Sequence, residues 1–217
     1  MILLCPPGVY RAEGDTELLI DVTREGGFAR GRDVLDVGTG SGALALAAAR
    51  SGAASVTAVD LSLRSVVTTW LNSRLHGARV AVRRGDLFGP VAGRRFGLVM
   101  ANPPYVPAES TRLPRHGMGR CWDAGPDGRV LIDRICAEVP HVLAPGGDVL
   151  LVHSAICGVD PTLAALERAG LVPRVLTTAT VPFGPVMRSR AAMLESRGLI
   201  RPGQREEELV VVGARHA

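Results

Sequence analysis

Asn102-Pro103-Pro104-Tyr105 directly follows the apolar run Leu98 to Ala101. The run reads as a buried strand, so a polar side chain, two rigid prolines and an aromatic ring form a small fixed corner at its end. Proline locks φ, which holds the Asn102 and Pro103 carbonyls with little freedom to lose on binding. Two such oxygens accept both hydrogens of a planar NH2 group and hold its nitrogen toward an electrophile opposite. The chemistry this fits is alkylation of an amide or exocyclic amine. A strand-ending Asn-Pro turn uses the same residue types, so the elements upstream must decide.

Val34-Leu35-Asp36-Val37-Gly38-Thr39-Gly40-Ser41-Gly42 reads as a strand entering a glycine turn, and Ala43 to Arg50 as the Ala/Leu-rich helix that follows. The glycines allow a sharp turn and leave room for a ligand at the positive end of the helix. Gly38, Gly40 and Ala43 also nearly satisfy the dinucleotide fingerprint. Asp36 separates the two cofactors. A carboxylate two residues before the first glycine repels the phosphates of a dinucleotide, whereas S-adenosylmethionine brings an ammonium and a sulfonium.

Further acids fall where such a nucleoside needs them. Ser55 to Asp60 is a second strand ending in an acid, about 20 positions after the glycine turn, where a ribose-binding carboxylate is expected. Asp60 and Ser62 also stand where the helix Leu63 to His76 needs a cap. Asp86, in Arg83-Arg84-Gly85-Asp86-Leu87-Phe88, follows a third strand and is placed to receive the adenine amino group.

In this order, Asp36-x-Gly38-x-Gly40-x-Gly42, Asp60, Gly85-Asp86 and Asn102-Pro103-Pro104-Tyr105-Val106-Pro107 resemble the class I methyltransferases of the HemK type. That family methylates glutamine side-chain amides, notably in the Gly-Gly-Gln loop of peptide-chain release factors. Gly8-Val9-Tyr10, Asp15-Thr16-x-Leu18-Leu19 and Trp122 to Arg129 are similar to segments of its short, single-domain branch. The resemblance implies that Thr16, Asp36, Gly38, Gly40, Asp60, Asp86, Leu87 and Asn102 hold S-adenosylmethionine. It implies that Asn102, Pro103, Pro104 and Tyr105 form the catalytic corner, and that a small activator protein docks along a sheet edge. Arg11-Ala12-Glu13-Gly14 departs from the family, which usually has a proline and another acid there. An amino-methyltransferase of RNA or DNA bases shares the corner but needs extra surface to read or flip a base, and a small-molecule N-methyltransferase stays open because the stretch from Pro182 to Arg205 could cap a small site.

Composition agrees with a compact enzyme. At 217 residues the chain suits one methyltransferase domain, 1–217, with residues 1–30 covering the donor. Hydrophobic residues at 47% fit a buried sheet rather than disorder. No apolar run approaches a membrane span and no secretory segment is present, which implies a cytoplasmic protein. Cys5, Cys121, Cys136 and Cys157 form no Cys-x-x-Cys pair, and the five histidines show no ligand spacing, so no metal is expected. All 25 basic residues are arginine and the net charge is +4, yet they are scattered and aromatics are only 4%, which argues against a nucleic-acid stacking surface. Arg188 to Arg205 and the following Glu206, Glu207 and Glu208 read as a solvated face.

The elements that must position these residues alternate as a seven-stranded, doubly wound, Rossmann-like α/β sheet with helices on both faces and an antiparallel last strand. Strands are expected at Asp33–Val37, Ser55–Asp60, Val80–Arg83, Leu98–Ala101, Asp148–His153, Val172–Thr178 and Leu209–Val212. Val130, Leu131, Ile135, Cys136 and Val139 mark one helix face, closed by Pro140. Asp160-Pro161 opens the next helix and Gly170 ends it. Residues 182–205 insert a loop and helix before the last strand, placed to face the substrate. The Pro/Gly-dense stretch from Pro103 to Pro126 leaves the corner directly and reads as acceptor recognition.

Overall fold

The computed structural model describes residues 1–111, 114 and 118–216. Arg112, Leu113 and 115–117 of the expected acceptor loop, His116 among them, lie outside the described residues.

The elements run α1 (Gly14–Glu25), β1 (Asp33–Val37), α2 (Ala43–Arg50), β2 (Ser55–Asp60), α3 (Leu63–Leu75), β3 (Val80–Arg84), β4 (Phe96–Ala101), α4 (Val130–Glu138), β5 (Leu143–Ser154), α5 (Val159–Arg168), β6 (Leu171–Pro182), α6 (Pro185–Ser196) and β7 (Glu206–His216). The seven strands form one sheet in the order β3-β2-β1-β4-β5-β7-β6. β1 pairs parallel with β2 and β4, β2 with β3 and β4 with β5, while β7 is antiparallel to both β5 and β6.

Apolar residues on both faces explain the two layers of helices. Leu35, Val37 and Val99 pack with Ile132, Ile135 and Leu166 of α4 and α5 on one face. Val34, Leu98 and Leu150 pack with Leu19 of α1 and Leu44, Ala45 and Ala48 of α2 on the other. α3 lies beside the glycine turn, its Thr69 and Asn72 side chains donating to the Gly40 and Ser41 carbonyls at 3.1 and 2.9 Å.

Three expectations shift. The buried face of α4 centres on Ile132, Ile135 and Cys136 and continues to Val139, while Leu131 turns to a cavity. α5 begins one residue before Asp160, with Gly158 at the cap in a left-handed conformation that suits glycine, so Asp160 is a first-turn acid rather than the cap. The β6–β7 hairpin runs far beyond its apolar centre, pairing Pro182 with Glu206.

Strand order reverses between β1 and β4, where Val37 is paired with Ala101. Neighbouring loops separate at such a point, so a crevice opens at the carboxyl ends of the strands. Gly38 and Asn102 are the first residues beyond those ends.

Candidate active site

Two cavities meet at this point and share one wall. The first, of about 300 Å³, is lined by Gly38, Gly40, Asp60, Asp86, Leu87, Leu131 and Arg134. The second, of about 530 Å³, is lined by residues 5–11 and 13–15, by Trp122, by Gly184 to Met187 at the start of α6, and by Glu207. Asn102, Pro103 and Pro104 border both, with Tyr10 and Cys121. The corner expected to hold a nitrogen therefore separates a nucleoside-sized cavity from a larger one.

The glycine turn is built by left-handed backbone at Gly38 (φ 74°), Gly40 (φ 56°) and Gly42 (φ 87°). A Cβ on Gly42 would lie 2.9 Å from Thr69 Cγ2, so the close approach of α3 requires glycine there as well. Asp60 stands at the cavity with Oδ2 accepting from Gly40 N at 2.9 Å and Oδ1 from Ser62 N at 2.7 Å. Ser62, not Asp60, caps α3. Burial pushes the Asp60 carboxyl above its ordinary range, while those backbone hydrogen bonds pull it back.

Asp36 does not line the cavity. It lies fully buried beneath the turn, where Oδ2 accepts from Thr39 Oγ1 at 2.6 Å and Ala45 N at 3.0 Å. Burial pushes its carboxyl up to about 7, and Oδ1 has no hydrogen-bond partner. An orphaned buried acceptor below a glycine turn suits an ammonium group arriving at that turn. Leu87 (φ 41°) is the one non-glycine with positive φ among the described residues, strain of the kind that collects at ligand sites. Asp86 lines the cavity, but its carboxylate is held by Arg134 at 2.8 and 3.4 Å. Arg134 has no part in the sequence expectations. Its helical face, offset from the buried stripe, is the only signal that marks it.

Thr16 is not among the residues lining either cavity. Its Oγ1 accepts from Asn102 Nδ2 at 2.9 Å, and among the described residues Asn102 Oδ1 has no protein partner. Tyr10 and Tyr105 both donate to Asp15, at 2.7 and 2.8 Å from the first and 3.0 Å from the second. Burial raises both phenols, which keeps their protons available for donation. Tyr105 is held from behind too. Its carbonyl accepts from Cys157 Sγ at 3.1 Å, and a Cβ on Gly128 would run into that carbonyl. Arg129 donates to the Cys157 and Gly158 carbonyls at 2.7 and 3.0 Å. The segment Trp122 to Arg129 thus braces the corner formed by Asn102 to Tyr105.

The charges read as a solvated face divide. Arg190 donates to the Pro107 carbonyl at 2.9 Å and to Asp123 at 2.5 Å, and Arg197 reaches the Ala108 carbonyl at 3.2 Å, so α6 is fastened to the acceptor loop. Glu207 is buried, its Oε2 unpartnered and its carboxyl raised by burial, while Glu206 and Glu208 are exposed. The sequence carries no signal that singles out Glu207, because β7 is buried on both faces from Leu209 to Ala214 and both alternation phases are apolar. His153 is buried on β5 with Nδ1 at 2.9 Å from the Ser154 carbonyl and lines neither cavity. Among the described residues no group of three or more His, Cys, Asp or Glu is placed to hold a metal.

Comparison with known proteins follows the same lines. Residues 2–114 match the model of the methyltransferase small domain. A protein of Methanocaldococcus jannaschii described as a candidate protein N5-glutamine methyltransferase is 30% identical over 181 residues, 83% of this chain and 90% of its own length. The release factor glutamine methyltransferase of Geobacter sulfurreducens is 33% identical over 76% of this chain, which spans 59% of that longer protein. A chain of the solved E. cuniculi Mtq2–Trm112 complex, responsible for methylation of the translation termination factor eRF1, has the same fold, with a TM-score of 0.65 at 21% identity over 96% of this chain and 99% of its own. The chain belongs to the methyltransferase small-domain family, in its HemK-type branch, and takes its methyl group from S-adenosylmethionine.

Proposed function

We propose that the protein methylates the side-chain amide nitrogen of a glutamine in a protein substrate, of the kind presented by a peptide-chain release factor. The observation that carries this reading is the shared wall: Asn102 to Pro104 border both the donor-sized cavity and the larger one. S-adenosylmethionine supplies an electrophilic methyl group on a sulfonium. Gly38, Gly40, Asp60, Asp86 and Leu87 would hold its nucleoside, and the Asp36 carboxylate, buried beneath the glycine turn, would favour its ammonium through its charge. Asn102 Oδ1 and the Pro103 carbonyl accept the two hydrogens of the substrate amide and orient its nitrogen toward the first cavity. An amide nitrogen is a poor nucleophile, and these acceptors relieve the positive charge that grows on it during transfer. Pro104 and Tyr105 exclude water, and positioning supplies most of the rate.

Glu13, Asp15 and Glu207 line the acceptor cavity against a single base, Arg11, an excess of acid that disfavours a phosphate backbone and favours a peptide. Residues 1–30 cover the donor through Tyr10, which stands beside Gly40. Residues 182–205 supply α6 as the wall over the acceptor. Incubation with labelled S-adenosylmethionine and, in parallel, a release factor, total RNA, DNA or a metabolite pool locates the acceptor by mass spectrometry. The expected label is one methyl on a glutamine amide nitrogen of the release factor. Label confined to nucleic acid or to a metabolite overturns the reading.

A small activator protein is the second part of the proposal, working with the enzyme in the cytoplasm. β3 is an open sheet edge, and beside it α3 exposes Leu63, Val67, Trp70, Leu71 and Leu75. An open edge next to an apolar stripe is material for an added strand and a covering surface. Native mass spectrometry of the complex from its own cells is expected to show one small additional chain, and Trp70→Glu to release it with donor binding intact. A second copy of this chain on that edge sinks the proposal.

A further inference from the structure

We propose that Thr16, governed by Asp15, is the positioning residue that decides which end of the Asn102 side-chain amide faces the methyl acceptor. This deepens the glutamine reading and rests on it. The amide has two ends of nearly equal shape and opposite character, since Oδ1 accepts and Nδ2 donates. Only Oδ1 can hold the NH2 of a substrate amide. With the group turned over, donor faces donor and the corner loses one of its two acceptors.

The prolines do not settle this choice, because they fix the backbone while the terminal torsion of asparagine is broad and nearly two-fold. The choice falls to what stands behind the side chain. Asn102 Nδ2 lies 2.9 Å from Thr16 Oγ1. A hydroxyl both gives and takes, so Thr16 alone accommodates either end. Its direction comes from Asp15, whose Oδ1 lies 3.3 Å from Thr16 Oγ1 and 2.6 Å from the Thr16 backbone nitrogen. A carboxylate only accepts, so the Thr16 hydrogen points to Asp15 and its lone pair to Asn102. Only the NH2 end can then sit against Thr16, and Oδ1 is left for the substrate.

Asp15 is in turn fixed by the hydroxyls of Tyr10 and Tyr105. The aromatic wall of the catalytic corner and the amide beside it are therefore set by one carboxylate from α1. Thr16 and Asp15 are both buried, and buried hydrogen-bonded chains of this kind hold a single arrangement. The family resemblance makes Thr16 a donor ligand, whereas its absence from the lining of the donor cavity and its bond to Asn102 make it a support for the acceptor side.

Thr16→Val keeps the shape and removes the acceptor, and Thr16→Ser keeps the hydroxyl. With release factor as acceptor, Thr16→Val is expected to lower kcat/KM by about tenfold or more while the calorimetric Kd for S-adenosylmethionine stays within about twofold, and Thr16→Ser to restore most of the loss. The Asn102 side-chain NH2 resonance of the 15N-labelled protein, read without acceptor, is expected to exchange slowly in wild type and Thr16→Ser and fast in Thr16→Val. Unchanged amide exchange in Thr16→Val overturns the proposal. So does a parallel loss of donor affinity in Thr16→Val, which makes Thr16 a donor ligand. A wild-type protein that methylates no release factor sinks the substrate reading alone, since the amide exchange still decides this one.

Discussion

Asn102 borders both cavities, so in the proposed division of labour one face of its corner meets the donor and the other the acceptor. Asn102→Ala is expected to lower kcat at least ~100-fold, the scale of removing one preorganised polar group from a reacting centre, with little change in donor Kd. Equal losses in both, read by single-turnover kinetics and calorimetry, contradict the division. Asn102, Asp60 and the glycines were legible in the sequence because each is a polar or permissive residue at the end of an apolar strand. Asp36 was legible as an acid before the turn, but not as a buried one, since its depth follows from Thr39 and Ala45 folding back over it. Glu207 was hidden among three consecutive glutamates, because the strand beyond them is apolar and buried on both faces and alternation singles out none of the three.

Elements act on the site mainly by bracing it. Gly128 has φ 77°, and a Cβ there would strike the Tyr105 carbonyl and approach Cys157 Sγ to 2.8 Å. Gly128→Ala therefore meets both a strained backbone and a clash that only a shift of the catalytic corner relieves. It is expected to lower the midpoint of thermal unfolding and to cost turnover with S-adenosylmethionine still bound; a variant with wild-type kcat shows that Tyr105 tolerates displacement. The centres of the strands were legible because apolar runs mark them. The long ends of β6 and β7 were not, since Ala179 to Pro182 runs into a proline, Glu206 to Glu208 is all acid, and the two are held by pairing with each other. Arg190 of α6 and Arg197 at its carboxyl cap were equally unreadable as anchors, because they find their partners some 80 residues away, at Pro107 and Ala108.

Across the whole molecule, buried acids gather at the carboxyl end of the sheet and a paired acid lies at the other. Burial raises Asp36 to about 7 and also raises Asp60 and Glu207. Asp148 is held below its ordinary range because hydrogen bonds from Arg215 and Arg32, at 2.6 to 3.0 Å, outweigh its burial. The two groups have opposite signs in pH-dependent stability. For a raised carboxyl the folded chain binds more protons than the unfolded chain between the ordinary value and the raised one, so stability falls as pH rises through that window. For Asp148 the stabilisation is complete above 3.8 and is lost as pH falls through its lowered value. His153, lowered by burial, opposes the first trend with a single proton below its ordinary 6.5. The donor-free protein is therefore expected to melt highest at a mildly acidic pH, between the Asp148 limb and the raised acids, and to lose stability toward neutrality. Asp36→Asn should flatten the neutral side, and Asp148→Asn the acidic side. S-adenosylmethionine should move the maximum toward neutral pH, because its ammonium favours ionised Asp36 and its binding near pH 6 releases a proton. Thermal unfolding from pH 2 to 8 with and without the donor measures all of these. A donor-free maximum at pH 8 contradicts the raised acids, and a maximum that the donor leaves in place removes Asp36 from the donor site.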